Sequence, residues 1–550
     1  AGPAEFFEDM EALGGPKHTY VGELYFSAHR GTYTSQAMVK KNNRRCELAL
    51  REAEMWSALA VEKGAAYPKE ELEELWKKLL LLQFHDILPG SCIGRVYKEA
   101  EETLAGCEKY VERAQKALAK EGDGISVFNS LGFERKALIT LPESFKGGAV
   151  TADGKEVSTA VSGDEVQALV TLPAYGAVTV LHAGANLAGK DLTHAAAARI
   201  TKTAGGYCLE NGQVQAFISE NGEIPSFLLK SSGREFAAGP MNHLQMYKDV
   251  ARLFDAWDID SNYIKQETDG AFDVSIEVLC ESGLKAALKV TGKIGSSSYS
   301  QVISMTAESR RVEISMTIDW KEQHRLLKTA FPVSVYAEEG INEIQFGYVK
   351  RPTHRSKAYD KDRFEVCNHR YSALCDGAHG AAVLNDSKYG ISMNENRLEL
   401  SLLKAACSPE MRADNGIHQF TYAFTAWEGD FMDCDVVKQA YELNVEPVLC
   451  DGLSEMAGNF RTDQDNIMLE TVKLAEDGSG DWILRLYESK KAAVKAAIAM
   501  PLLEGRRAYL CNMLENEEEE IMVNGNEIIL DFKAFEVKTV RISYKSSERS

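Results

Sequence analysis

VERAQKALAKEGDGISVFNS, residues 111–130, joins two kinds of pattern. Val111, Ala114 and Leu118 recur at helical spacing, whereas Ile125-Ser126-Val127-Phe128, just past Gly122, has the β-branched and aromatic content of a strand. Upstream, from about residue 34 to 121, the period is helical. Cys46, Leu50, Ala53, Trp56 and Ala60 mark a first helix at spacings of 4, 3, 3 and 4. Pro68 fits a first helical turn, with Glu70 and Glu71 complementing the helix dipole. Leu72, Leu75, Trp76, Leu79 and Leu82 stripe that second helix, which Pro89-Gly90 is expected to end. Ile93, Val96, Ala100, Leu104, Cys107, Val111, Ala114 and Leu118 then share one face, predicting a third helix of about seven turns. Three helices joined by short turns predict a compact bundle.

Downstream, ISVFNS, VQALVTL, VTVLHA, AALKVTG, RVEISMTI and EIILDF are β-rich and often alternate. Hairpin-type pairs recur at Asp153-Gly154, Asn211-Gly212, Asn221-Gly222, Asp477-Gly478 and Asn524-Gly525. Strands at this density without long intervening helices predict antiparallel sandwiches. Breaks are expected near residues 184–189, where HAGANLAGK is small and polar, and near residues 446–453. The acidic run Glu517-Glu518-Glu519-Glu520 reads as a solvated strand edge or turn.

The 550 residues suffice for roughly three to four domains. The 62 basic and 82 acidic side chains leave a net charge of −20, which argues against nucleic acid and anionic membrane surfaces as partners. No apolar run approaches the ~20 residues of a membrane span. Eleven cysteines without a CxxC pair suit reduced thiols in a cytosol. The first residues, AGPAEFFEDMEALGG, have neither a basic nor an apolar leader region, so they read as the interior of a longer chain rather than a secretory signal.

Four clusters bear on chemistry. The most unusual is Gln83-Phe84-His85-Asp86-Ile87-Leu88-Pro89-Gly90-Ser91, a His-Asp pair at the end of a leucine-rich helix. Taken alone, His85 reads as a cap on the last carbonyls and Asp86 as solvent-facing; one imidazole makes no zinc site, which wants about three or four ligands. Glu23-Leu24-Tyr25-Phe26 and His29-Arg30-Gly31-Thr32-Tyr33-Thr34-Ser35 interleave aromatics and donors. They suit either a sugar pocket containing His29 and Tyr33 or a helix cap at Thr34 or Ser35 with packed aromatics. Asp255, Asp258 and Asp260 suggest calcium, but the run lacks the Gly and Glu of an EF-hand, and a structural loop is the better reading. Arg351-Pro352-Thr353-His354-Arg355 and Asn368-His369-Arg370 read as surface salt-bridging residues or as contributors to a neighbouring site. There is no GxSxG and no GxGxxG before a helix. GANLAGKD, from Gly184, has P-loop glycine spacing but places Asp191 where Ser or Thr must hold magnesium.

Together these segments resemble family-38 glycoside hydrolases, the zinc-dependent retaining α-mannosidases. HRGTYTSQ resembles the family's junction between catalytic domain and helical bundle, and QFHDILPGS its helix-end His-Asp motif. FDAWDID from Phe254, DWKEQHRLLKTAFPV from Asp319, EIQFGYVKRPTHR from Glu343 and LNDSKYG from Leu384 resemble successive pieces of its large β domain. HQFTYAF from His418 and AEDGSGDWILRLYE from Ala475 resemble later parts. The matches run in consistent order over about residues 20 to 490, closest to the cytosolic and bacterial branch.

The resemblance implies that His85 is a zinc ligand, that Asp86 contacts the sugar, and that His29 lies near a substrate-stacking position. It also implies that the remaining zinc ligands, the nucleophile and the acid/base sit in an N-terminal α/β-barrel domain with no counterpart here, so no catalytic residue is assigned in this chain. The implied partners are mannose-containing oligosaccharides and that N-terminal domain, with homo-oligomers plausible. The expected fold is α+β and mostly β: a three-helix bundle, then antiparallel sandwiches including a large galactose-mutarotase-like one. The expected units are 1–22 (tail of the catalytic domain), 23–121 (bundle), 122–188 (small β), 189–446 (large sandwich) and 447–550 (C-terminal β). The isolated chain is expected to bind zinc weakly or not at all and to be inactive. The rival expectations are a carbohydrate-binding module and a structural or oligomerising scaffold.

Overall fold

The computed structural model describes residues 2–104, 106, 108–163, 165–183, 197–268, 270–454 and 456–544. The predicted break at 184–189 and the GANLAGKD run lie outside the described residues. Five helices open the chain: α1 (Pro3–Ala12), α2 (Ala37–Val61), α3 (Lys69–Leu82), α4 (Gly94–Leu104) and α5 (Glu108–Leu118). No residue of α1 is buried, whereas Cys46, Leu50, Ala53, Trp56 and Ala60 of α2 all are. α2 packs against α3, α4 and α5.

Two helical expectations are corrected. α3 ends at Leu82, before Pro89-Gly90, and residues 83–90 form turns. The single third helix is instead two, separated at Gly106, whose φ of +85° is a left-handed conformation that a side chain resists. Among the described residues the bundle therefore has four helices. Ile93, assigned to the buried stripe, is exposed, while Tyr97 takes its place in the core.

Among the described residues the β part forms six sheets, and every strand pair in them is antiparallel. A seven-stranded sheet contains the strands from Lys120–Asn129 to Gly176–His182, and its last member is Val448–Leu453, paired along Lys120–Asn129. Residues 448–453 thus belong with the small β unit and not with the C-terminal one. The large sandwich sets a nine-stranded sheet against two five-stranded sheets over one core that includes Leu288, Ile314, Trp320, Phe331 and Phe424. The C-terminal unit pairs a three-stranded with a five-stranded sheet. The acidic run forms Glu517–Ile521, an exposed edge strand of the latter. Four of the five turn pairs join paired strands; Asn524-Gly525 instead carries the chain from one C-terminal sheet to the other.

The helices share a core with the C-terminal sandwich, where Leu50 and Trp56 of α2 pack with Leu469, Trp482 and Leu484. Trp56 meets the rings of Phe128 and Tyr175, each at 5.3 Å, and the Tyr175 hydroxyl donates to the Met55 carbonyl at 2.7 Å. Arg51 donates to the carbonyls of Glu470 (2.6 Å), Leu469 (3.1 Å) and Ser130 (3.3 Å). One helix therefore fixes the small β and C-terminal units together. Among the described residues no helix is long and apolar enough to cross a membrane, and the ten described cysteines remain thiols.

Candidate functional site

The site is built where HRGTYTSQ leads into α2. His29 and Gln36 both have positive φ (61° and 57°), which bends the chain sharply on either side of the short 3-10 turn Arg30–Tyr33. FDAWDID is its seat. The Gly31 N–H donates to the Trp257 carbonyl at 2.9 Å, the Arg30 N–H to Asp258 Oδ1 at 3.2 Å, and the Ser35 hydroxyl to the Ala256 carbonyl at 2.6 Å. A Cβ on Gly31 would stand 3.0 Å from the carbonyls of Ala256 and Asp258. The expected Thr34 or Ser35 cap is not formed. Asp414 instead accepts the N–H groups of Gln36 (2.7 Å) and Ala37 (2.6 Å), the unpaired donors at the start of α2.

The His-Asp turn rests on this seat. The Gln83 side chain anchors the end of α3 to Glu47 (2.7 Å) and Asn43 (3.1 Å) of α2. Gly90, at φ +93°, brings the backbone so close that a Cβ would stand 2.5 Å from the Ser35 carbonyl. The buried Lys40 ammonium donates to the carbonyls of both Leu88 (2.8 Å) and Ser35, and burial pulls its pKa down to about 7. His85 projects outward with 71% of its side chain exposed, its Nε2 3.5 Å from Asp86 Oδ2 and its ring against Phe84. It caps no carbonyl, so the capping expectation is replaced. Asp86 is 39% exposed and accepts the Ser91 hydroxyl at 3.0 Å.

His29 and Tyr33 part ways. The His29 ring lies edge-on to Trp257 (4.1 Å) and Phe26 (4.9 Å), and Phe26 and Phe254 are 63% and 69% exposed at the ends of this aromatic row. Tyr33 is part-buried, its hydroxyl pushed up by burial, with Tyr25, Cys367 and Glu23 adding to the effect and Arg351 opposing it. In Glu23–Phe26 the side chains alternate. Glu23 pairs with Arg351 (2.5 Å) and Tyr25 donates to the Glu365 carbonyl (2.7 Å), while Leu24 and Phe26 face solvent.

Within the basic clusters Arg351 and Arg370 are interior ties, whereas His354 is exposed at the surface and lies 3.7 Å from Asp360. Arg351 is buried between Glu23 and Asn342, and Arg370 holds Glu343 through both carboxylate oxygens while lying 3.6 Å over the Tyr441 ring. The three acids of FDAWDID do not converge on calcium: Asp255 faces His324, Asp258 faces Arg30, and Asp260 accepts the Arg252 N–H. Trp257, Lys40 and Asp414 were not singled out by sequence. Trp257 alone carried a signal, as an aromatic inside a short acidic loop.

Zinc wants three or four donors. His85 and Asp86 stand together, but among the described residues no third carboxylate, thiol or imidazole joins them. By itself the turn does not complete a zinc site.

Residues 27–121 match the alpha mannosidase middle domain, residues 209–412 the glycosyl hydrolases family 38 C-terminal domain, and residues 466–540 the family's C-terminal beta sandwich domain. Human alpha-mannosidase 2C1 is 32% identical over 97% of this chain and 52% of its own length. Alpha-mannosidase G of Dictyostelium discoideum is 28% identical over 98% and 54%. The chain spans about half the length of the curated relatives it matches. A crystal structure of an alpha-mannosidase from Enterococcus faecalis V583 shares the fold at a TM-score of 0.80 and 15% identity, over 98% of this chain and 72% of that one. On these matches the chain belongs to glycoside hydrolase family 38, whose middle and C-terminal domains it carries.

Proposed function

We propose that this chain is the platform part of a zinc-dependent retaining α-mannosidase acting on terminal α-mannosides of oligosaccharides. The observation that carries the reading is the outward His85 beside Asp86, on a turn that Gly90 and Lys40 hold against the HRGTYTS segment. His85 is one ligand of a zinc ion whose other donors, like the nucleophile and the acid/base, come from an N-terminal catalytic domain outside these residues. Bound there, zinc orients sugar hydroxyls and polarises them. Asp86, already held by Ser91, accepts a hydrogen bond from a sugar hydroxyl, and the aromatic row around His29 covers an apolar sugar face. The thiol cysteines agree with a reducing, cytoplasmic setting.

Hydrolysis of an aryl α-mannoside, with zinc added, tests the reading. The chain alone is expected to be silent. Joined to the family's N-terminal catalytic domain it should turn over, and His85→Ala should abolish that turnover. Activity of the chain alone would overturn the assignment of the carboxylates. Mannose affinity of the chain alone that survives His85→Ala would favour a carbohydrate-binding module instead.

A further inference from the structure

Three segments far apart in the sequence meet beneath FDAWDID. Asp255 lies in that turn, His324 immediately precedes strand Arg325–Pro332, and Cys407 follows strand Arg397–Lys404. Asp255 Oδ2 stands 3.1 Å from His324 Nε2 and accepts the Cys407 N–H at 2.6 Å. A carboxylate oxygen, an imidazole nitrogen and the Cys407 sulfur all lie within 4.8 Å of one another, the one such group of three donors among the described residues. The backbones are interlocked: Asp249 N–H donates to the His324 carbonyl (2.9 Å), His324 N–H to Ala405 (2.7 Å) and Ala405 N–H to Arg325 (2.8 Å).

Two further observations point to a missing ligand. Asp255 Oδ1 is buried and has no hydrogen-bond partner. Leaving a buried carboxylate oxygen unpaired is costly. The nearby Lys404 ammonium does not relieve it, because it is paired with Asp249. His324 and Phe254, the residue before Asp255, both hold left-handed backbone (φ 49° and 57°), which bulky side chains rarely adopt and which clusters at functional positions.

The chemistry selects the ion. Calcium and magnesium take oxygen ligands, whereas carboxylate, imidazole and thiolate together suit zinc and its neighbours. With Zn–N and Zn–O bonds of about 2.0–2.1 Å, a tetrahedral site sets nitrogen and oxygen about 3.3 Å apart, close to the distance between His324 and Asp255. A Zn–S bond of about 2.3 Å asks for about 3.6 Å between sulfur and nitrogen, a separation inside the 4.8 Å that spans the three donor atoms. His324 is 39% exposed and Cys407 partly so, so solvent reaches the cluster.

We propose that Asp255, His324 and Cys407 form a zinc-class divalent metal site, separate from His85. The ion ties FDAWDID to the large sandwich, and FDAWDID in turn seats Gly31 and Ser35. The site is thereby a clamp on the platform rather than part of the sugar contact.

The test strips the full chain with a chelator, reloads it with zinc, and measures bound metal after dialysis. One equivalent is expected, held by Asp255, His324 and Cys407; this departs from the expectation of weak or no zinc binding, which considered His85 alone. Cys407→Ser and His324→Gln should each weaken it by at least about tenfold, and His85→Ala should leave it unchanged. Cobalt in place of zinc should give a thiolate-to-metal charge-transfer band that Cys407→Ser removes. Circular dichroism of the metal-free variants separates lost binding from lost fold. The proposal is overturned by no retained zinc, by retention that depends on His85, or by a cobalt spectrum of the unsubstituted chain with no thiolate band; the last needs no variant to fold.

Discussion

Asp414 caps a helix that begins 377 residues before it: its two carboxylate oxygens accept the N–H groups of Gln36 and Ala37 at 2.7 and 2.6 Å. The same residue's carbonyl meets His418 Nε2 at 2.6 Å, so the cap is rooted in the large sandwich. Losing such a cap costs about 1–2 kcal/mol. Asp414→Ala should lower the urea midpoint by a corresponding amount, while Asp414→Asn, which keeps one acceptor oxygen, should lose less.

Gly90→Ala should disturb the His-Asp turn while leaving the cores alone. The added Cβ meets backbone at Ser35, which cannot swing aside, and the positive φ resists a side chain. The expected cost exceeds about 1 kcal/mol in thermal or urea unfolding. The His85 ring resonances in NMR should shift in the variant, while those of His418, in the sandwich, should not.

Lys328 and Glu365 form an ion pair with no solvent exposure, at 2.5 Å, joined by the hydroxyls of Ser392 and Ser401. Removing one partner strands the other charge, so Glu365→Ala should cost about 3–5 kcal/mol. The double replacement Lys328→Met with Glu365→Leu, which removes both charges, should be less destabilised than either single variant by urea denaturation.

His369 gives the fold an acid-sensitive element. Burial, reinforced by Arg44 and Arg370, holds its imidazole down to about 3 against an ordinary 6.5. Between those values the unfolded chain binds a proton that the folded chain refuses, so stability rises with pH across that window. The contribution is whole above pH 6.5 and lost progressively toward pH 3. His369→Asn, neutral throughout, should flatten the dependence of the urea midpoint on pH over that range.

Much of this architecture is local and was therefore legible. The apolar faces of α2 and α3 follow from a 3.6-residue period, and four of the five turn pairs close hairpins because neighbouring strands pair locally. The split between α4 and α5 was hidden because Leu104 and Val111 stay in phase across Gly106, so periodicity alone saw one helix. Strand Val448–Leu453 was misplaced because its partner lies far upstream. At the site, the His85–Asp86 turn stood out as an odd helix end. The Asp414 cap and the Asp255–His324–Cys407 cluster did not, since each brings together single residues from segments with no shared local pattern.

The return of Val448–Leu453 to Lys120–Asn129 has a price during synthesis. The partner of Phe128 is made about 320 residues after Phe128 itself, which at roughly 5–20 residues per second leaves an open strand edge for some 16–64 s on the ribosome. Throughout that interval the nascent small β unit offers unsatisfied backbone to any passing strand, and the large sandwich must fold as a loop hanging from an unfinished sheet. Heterologous production should therefore gain from slower translation before residue 448 less than from chaperones that shield exposed edges.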